Sequence, residues 1–319
     1  MSVDMTAQPA TPKFATARDY VELMKPRIMM LVVFTALAGL VAAVGVTGQE
    51  VNPVLAAVAI FAVALGSGAA GAINMWYDAD IDAVMTRTST RPIPSGAVPK
   101  DEALTMGLIM SAVSVLLMWI ASNVLAAGLL ALSIAYYGWF YTMVLKRRTA
   151  QNIVIGGAAG AFPPVIGWAA VTGNTPLDAW ILFAIIFFWT PPHFWALSLV
   201  AHKEYEKAGV PMLPVTSGAK ATRNQILLYT VIMAPVGLAP LLTGLGGLIY
   251  GIIGGALTLA FIYFAVKVWR SEAGNTSAGD AERKLAMGMF AFSILYLFGL
   301  FAALIIEHGF GLYFPIGGL

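Results

Sequence analysis

The sequence predicts an all-α fold: a polytopic bundle of nine transmembrane helices around a central cavity that opens near the cytoplasmic face. Three observations predict it. Of 319 residues, 59% are hydrophobic and only 11% charged, whereas soluble domains carry about 25% charged residues; mean hydropathy is +0.82. Nine apolar stretches approach or exceed the ~20 residues that cross a bilayer. All 18 Lys and Arg residues fall on alternate connections between those stretches.

The first 25 residues hold Thr, Ala, Pro and scattered charges without a continuous apolar core. They read as a cytoplasmic N-terminal lead rather than a cleaved signal peptide, and 26–319 as one nine-helix domain. The apolar stretches run over 28–46, 53–73, 103–121, 124–144, 153–171, 179–200, 226–243, 248–268 and 285–306. The fifth is interrupted by Gly156-Gly157 and Pro163-Pro164, so a broken helix lodged inside protein or beside a wet cavity is expected there. Cations cluster before stretch one and between two and three, four and five, six and seven, and eight and nine. The positive-inside rule then puts the N-terminus in the cytoplasm and the C-terminus outside, across the cytoplasmic (inner) membrane. The two longest inner connections, 83–102 and 201–224, follow stretches two and six. Two similar four-helix halves plus a ninth helix, with these loops forming a mouth, fit that pattern. Without cysteine there is no disulfide, thiolate metal site or cysteine nucleophile. No nucleic-acid partner is expected; the bilayer itself is one.

The chemistry gathers on the cation-bearing side. Asn74, Asp78 and Asp82 are spaced i, i+4, i+8, which puts them on one face of a helix; Asp80 sits about 200° round from Asp78. Carboxylates this close repel unless a cation neutralises them. Oxygen donors without Cys or His suit Mg²⁺ before Zn²⁺. Arg87 and Arg91 follow, and a carboxylate-held Mg²⁺ with arginines nearby is what a diphosphate needs. The plainer alternative is a solvated loop that caps a membrane helix and pairs its own charges. Lys146, Arg147 and Arg148 serve as topology anchors, or Lys146 and Arg147 turn inward as diphosphate ligands. Asn152 opens the fifth stretch, where free N–H groups favour anions. His193, after Pro191-Pro192 inside an apolar stretch, is a functional candidate; otherwise it is a neutral histidine bonded to a carbonyl freed by the prolines. Lys203 and Glu204 are expected to face Asp78 and Asp82 across the mouth, Glu204 as a further metal ligand. A solvated helix end explains them nearly as well, together with His202 and Glu206. The aromatic residues around 187–195 pack the bundle or line a chamber for an isoprenoid tail or a flat macrocycle.

N-x-x-x-D-x-x-x-D at Asn74, Asp78 and Asp82 on nine membrane helices resembles the intramembrane aromatic prenyltransferase superfamily. Within it, four segments are similar to the protohaem IX farnesyltransferase (haem O synthase) family: MKPR at 24–27, YTMVLKR at 141–147 with NIVIGG at 152–157, PPHFW at 191–195, and YEKAGVPMLPV at 205–215. Related enzymes carry a second aspartate-rich motif at the sixth-helix mouth. Here that region offers His193, His202, Lys203, Glu204 and Glu206 instead, a departure that fits an acceptor unlike a hydroxybenzoate.

The resemblance implies Mg²⁺-dependent transfer of a farnesyl group from farnesyl diphosphate to the vinyl group of haem b, giving haem O for a downstream haem-modifying oxidase. With the residue reading above, the expected catalytic residues are Asn74, Asp78, Asp82 and His193. Arg87, Arg91, Lys146, Arg147, Asn152 and Lys203 would bind diphosphate, and Asn74, Asp78, Asp82 and Glu204 would hold metal. Two other readings stay open. One is a sister prenyltransferase with a quinone precursor or chlorophyllide as acceptor. The other is an ion-coupled transporter, since carboxylates in broken-helix bundles also bind transported ions. Against transport, the charged groups gather at one face with no ionisable relay to the other.

Overall fold

The computed structural model describes residues 15–316. Positions 1–14 of the N-terminal lead, Lys13 among them, and 317–319 lie outside the described residues. The remainder of the lead forms a short helix, α1 (Ala17–Leu23), closed at its start by a capping box between Thr16 and Asp19. Among the described residues nine helices are long and apolar enough to span a membrane and no strand forms. The chain is a multi-pass membrane protein.

The spans are α2 (Pro26–Thr47), α3 (Pro53–Tyr77), α5 (Lys100–Ala121), α6 (Val124–Ala135, continuing as a π-helix over Tyr136–Leu145), α7 (Asn152–Thr172), α8 (Leu177–Lys207), α10 (Gly218–Leu238, extended by α11, Pro240–Thr243), α12 (Leu248–Arg270) and α13 (Asp280–Gly309). Two short pieces, α4 (Ala79–Val84) and α9 (Leu213–Thr216), lie in the connections after the second and sixth spans. The ends follow local rules. Pro26 and Pro53 occupy first-turn positions, where a missing N–H costs nothing. Asn52 Oδ1 accepts from the N–H groups of Val54 (2.9 Å) and Leu55 (3.3 Å), and Gly48 and Gly173 end α2 and α7 in the left-handed region. At the far membrane face the buried Glu307 accepts from the backbone N–H groups of Gly247 (2.8 Å) and Tyr250 (2.9 Å). A membrane-depth carboxylate thereby satisfies donors at the start of α12.

α7 and α8 are the most buried spans. α2 lies across α7, with glycines at the crossing: a Cβ on Gly167 would fall 2.0 Å from the Ala36 carbonyl oxygen, and one on Gly39 2.1 Å from that of Pro164. Small residues let membrane helices approach this closely. α13 packs on α12, α8 and α2, bringing the last span back to the first. Large apolar side chains such as Phe61, Ile120, Trp139 and Leu259 point outward, as lipid-facing surfaces require.

The fifth span is not broken. α7 runs straight through Gly156-Gly157 and Pro163-Pro164, contrary to the expected interruption. Pro163 has no N–H for the Ala159 carbonyl four residues back. The Ser133 hydroxyl of α6 donates to that carbonyl at 3.2 Å instead, so a neighbouring helix replaces the lost bond. The sixth span is longer than its apolar stretch: α8 continues to Lys207, which carries His202–Glu206 on its last turns. The connections after the second and sixth spans meet. Ile81 and Met85 after α3 pack with Ile153, Tyr205, Val210 and Met212.

Candidate active site

α3 delivers Asn74 and Asp78 to the end of the bundle that carries the Lys and Arg clusters. The helix breaks at Asp78 (φ −86°, ψ 9°), yet Asp78 N–H still reaches the Asn74 carbonyl (2.9 Å) and Asp82 N–H the Asp78 carbonyl (2.8 Å). The four-residue spacing therefore survives the break, and Asn74, Asp78 and Asp82 are all buried.

Each of the three holds a cation. The Lys25 ammonium donates to Asn74 Oδ1. The Lys146 ammonium donates to Asp78 Oδ2, and Arg147 Nη2 stands 3.6 Å from Asp78 Oδ1. Arg91 Nη1 pairs with Asp82 Oδ2 at 2.7 Å. Asn74 Nδ2 ties the row together, donating to Asp78 Oδ2 and to Thr142 Oγ1, both at 2.9 Å. The π-helical segment sets this register: Thr142 Oγ1 donates to the Tyr137 carbonyl (2.7 Å), and Lys146 N–H reaches the Tyr141 carbonyl five residues back (2.9 Å). A wider turn of this kind is common at functional sites.

Asp80 points away from Asp78, as its helical angle requires, and grips Arg147 with both oxygens at 2.7 and 2.8 Å. Arg147 also donates to the Tyr77 carbonyl (3.2 Å) and lies over the Tyr77 ring at 4.7 Å. Those hydrogen bonds pull the Asp80 carboxyl down to about 2 and raise Arg147 in turn. Lys25 is pushed down to about 7, first by loss of hydration and then by the positive charges of Arg91 and Lys146, with Asp78 and Asp82 opposing. It has φ 54°, and among the described residues it alone combines a side chain with a left-handed backbone.

Asp78 Oδ1 is buried and accepts no hydrogen bond, and the Asn152 side-chain oxygen and Arg147 Nε also lack partners. Buried polar atoms are rarely left so. A carboxylate oxygen and an amide oxygen are hard donors, so this row fits Mg²⁺. Among the described residues no three His, Asp or Glu side chains gather at one point.

The remaining candidates are spread over the mouth and the bundle. Glu204 Oε2 accepts from the backbone N–H of Arg87 at 3.4 Å, so it meets the loop after Asp82. Arg87 and Lys203 are exposed. Asn152 is fully buried at the start of α7, its amide donating to the Thr149 carbonyl at 2.6 Å. His193 lies between the Trp189 and Phe290 rings, 4.2 and 4.5 Å away and nearly parallel. It does not bond a freed carbonyl. Its Nδ1 meets Ser293 Oγ at 2.7 Å, and that hydroxyl donates to the Phe290 carbonyl at 2.6 Å. The serine proton is thus committed, so Nδ1–H is the donor and Nε2 keeps its lone pair. Sequence reasoning assigned Lys25 to topology and did not single out Thr142 or Ser293. The local signal for Lys25 was the MKPR segment at 24–27 that contains it.

Comparison with known proteins agrees with this geometry. The UbiA prenyltransferase family model matches residues 32–286. A protein of Hyphomonas neptunium named protoheme IX farnesyltransferase is 72% identical over 315 residues, covering 99% of each chain. One of the same name from Methylobacterium radiotolerans is 54% identical over 300 residues, 94% of this chain and 92% of the relative. The solved structure of a UbiA homolog from Archaeoglobus fulgidus bound to GPP and Mg²⁺ has the same fold, with a TM-score of 0.65 at 18% identity over 90% of this chain and 99% of that one. A structure of digeranylgeranylglyceryl phosphate synthase gives a TM-score of 0.71 at 18% identity, over 91% of this chain and 97% of that one.

Proposed function

The chain belongs to the UbiA prenyltransferase family, and on that premise we propose that it transfers a farnesyl group from farnesyl diphosphate to the vinyl group of protohaem IX, at the mouth formed by Asn74, Asp78 and Asp82. The observation that carries the diphosphate half is Asp78. One of its oxygens is held by Asn74 and Lys146, the other has no hydrogen-bond partner, and cations stand on every side. The haem half rests on the full-length likeness to its farnesyltransferase relatives.

Asn74, Asp78 and Asp82 would hold Mg²⁺, which when bound neutralises diphosphate charge and favours departure of the leaving group. Lys146, Arg91 and Lys25 are the cations free to move onto diphosphate oxygens, with exposed Arg87 and Lys203 at the rim. Arg147 stays fixed to Asp80 and contributes a positive field. As the allylic C–O bond breaks, its electron pair leaves with the diphosphate. The vinyl carbon of haem attacks the farnesyl carbon, and water adds to the cation left on the haem side, releasing a proton and leaving a hydroxyethylfarnesyl group. Apolar packing of Ile81, Met85, Tyr205 and Met212 over the mouth excludes water during the first step. The free Nε2 of His193 orients haem or ligates its iron. The charge distribution of the loops supports an orientation with mouth and N-terminus on the cytoplasmic side, in the inner membrane. Its product would pass to a downstream haem-modifying oxidase.

The test is a competition. Purified protein in detergent receives farnesyl diphosphate, Mg²⁺ and an equimolar mixture of haem b, a hydroxybenzoate and a chlorophyllide. Farnesylation of haem alone is expected. Farnesylation of another acceptor with haem unchanged would overturn the acceptor while keeping the prenyltransferase.

A further inference from the structure

Three oxygen-bearing side chains form the candidate metal row, and each is engaged by its own cation from a different part of the chain. Lys25 comes from the junction before α2 and reaches Asn74. Lys146 comes from the end of the π-helical segment and reaches Asp78. Arg91 comes from the loop after α4 and reaches Asp82 at 2.7 Å. The fourth basic residue, Arg147, differs from these: both Asp80 oxygens grip it at 2.7 and 2.8 Å, and its Nη2 stands 3.6 Å from Asp78 Oδ1 without bonding it.

Charge balance makes this arrangement consequential. One oxygen on each of the three side chains already accepts from an ammonium or guanidinium group, while Asp78 Oδ1 has no hydrogen-bond partner. A doubly charged ion placed on this row would stand against the charges of Lys146 and Arg91, and that of Lys25 when protonated, at close range, and like charges this close repel strongly. Each cation must then find another anion. A diphosphate arriving beside the metal supplies one, with acceptor oxygens for ammonium and guanidinium donors alike.

We propose that Lys25, Lys146 and Arg91 form a cation clasp that competes with Mg²⁺ for Asn74, Asp78 and Asp82 and transfers to the diphosphate, so that metal and diphosphate bind as one linked pair. This rests on the proposed diphosphate site and goes beyond it, because it fixes the energetic relation between the two ligands. Metal alone is opposed by the clasp, and diphosphate alone lacks the metal; together each removes the obstacle to the other. Coupling of this kind is reciprocal, with typical factors of about 5–150. Arg147 has its own counter-ion in Asp80 and does not take part.

The experiment measures binding rather than turnover. Purified full-length protein in detergent is titrated with Mn²⁺ as probe, the free ion being followed by its paramagnetic resonance signal. The titration is repeated with a saturating thio analogue of farnesyl diphosphate that does not ionise, after correction for Mn²⁺ bound by the free analogue. Wild type should bind Mn²⁺ at least about tenfold more tightly with the analogue than without. Arg91→Gln and Lys146→Gln should each bind Mn²⁺ alone about tenfold more tightly than wild type and show a correspondingly smaller gain from the analogue. Lys146→Arg should restore wild-type behaviour. Arg91 lies in a partly exposed loop, so its variant tests the idea even if Lys146→Gln fails to fold. Unchanged or weaker binding of Mn²⁺ alone in Arg91→Gln would overturn the clasp. If wild type farnesylates haem but shows no coupling, the clasp falls and the proposed function stands. If coupling is seen but no acceptor is farnesylated, the clasp stands and the function falls.

Discussion

Replacing Asp78 with Asn removes one charge from the middle of the buried Asn74, Asp78 and Asp82 row while keeping the shape of the side chain. Asn74 Nδ2 donates to it at 2.9 Å, and an amide oxygen can still accept that bond. What is lost is the attraction to Lys146 and Arg147. A unit charge pair at 3.6 Å, the Arg147 distance, is worth about 5 kcal/mol at an effective dielectric near 20. Rehydration offsets part of it, because the Lys146 and Arg147 side chains are 17% and 32% exposed. A stability loss of about 2–3 kcal/mol follows, short of the ~3–5 kcal/mol for breaking a fully buried pair. The effect on turnover is larger. Loss of one preorganised group beside a developing charge lowers kcat by about 10²–10³, and Asp78 also positions Lys146, so a fall of at least about 10³ is expected. The assay is single-turnover release of diphosphate from farnesyl diphosphate with haem b, alongside a thermal melt in detergent. Turnover of Asp78→Asn within tenfold of wild type would refute the central role of this carboxylate. So would an equal loss in Asp80→Asn.

Three further outcomes are expected. Asp80→Asn should lower stability by less than about 1 kcal/mol, since Asp80 is 63% exposed and surface pairs are weak. Its carboxyl is depressed to about 2, so that contribution is present above the unfolded-state value near 4 and is lost as pH falls through about 2; a melt from pH 6 to pH 2 checks the sign. Gly167→Leu should destabilise the α2–α7 crossing by more than about 2 kcal/mol, because even a Cβ would meet the Ala36 carbonyl at 2.0 Å, and yield of folded protein reads it. His193→Ala should weaken haem binding, measured by the haem absorption band, while leaving the affinity for the farnesyl diphosphate analogue within about twofold.

Much of the fold was legible because the bilayer reduces it to hydropathy and charge placement. Each of the nine apolar stretches lies within an observed span, with ends that differ where polar helix continues past the bilayer, as at Glu204–Lys207 of α8. The row Asn74, Asp78 and Asp82 was legible because its spacing is local. The proline signal in the fifth span misled, since the carbonyl freed by Pro163 is satisfied from another helix by Ser133, a contact no local pattern contains. The π-helical register after Tyr136 was equally invisible, though it aims Thr142 and Lys146 at the row. Lys25 entered as a topology charge and as part of the MKPR segment, with no site role, because its meeting with Asn74 joins residues far apart in sequence. Glu204 was expected at the carboxylates and instead braces the loop at Arg87, a difference of loop geometry that composition cannot set.

The most direct test incubates wild-type protein with haem b, farnesyl diphosphate and Mg²⁺, with and without EDTA, and reads the mass of the extracted haem. A haem bearing a hydroxyethylfarnesyl group, formed with Mg²⁺ and absent with EDTA, is the expected result. Unmodified haem in the presence of Mg²⁺, with farnesyl diphosphate intact, would contradict the account.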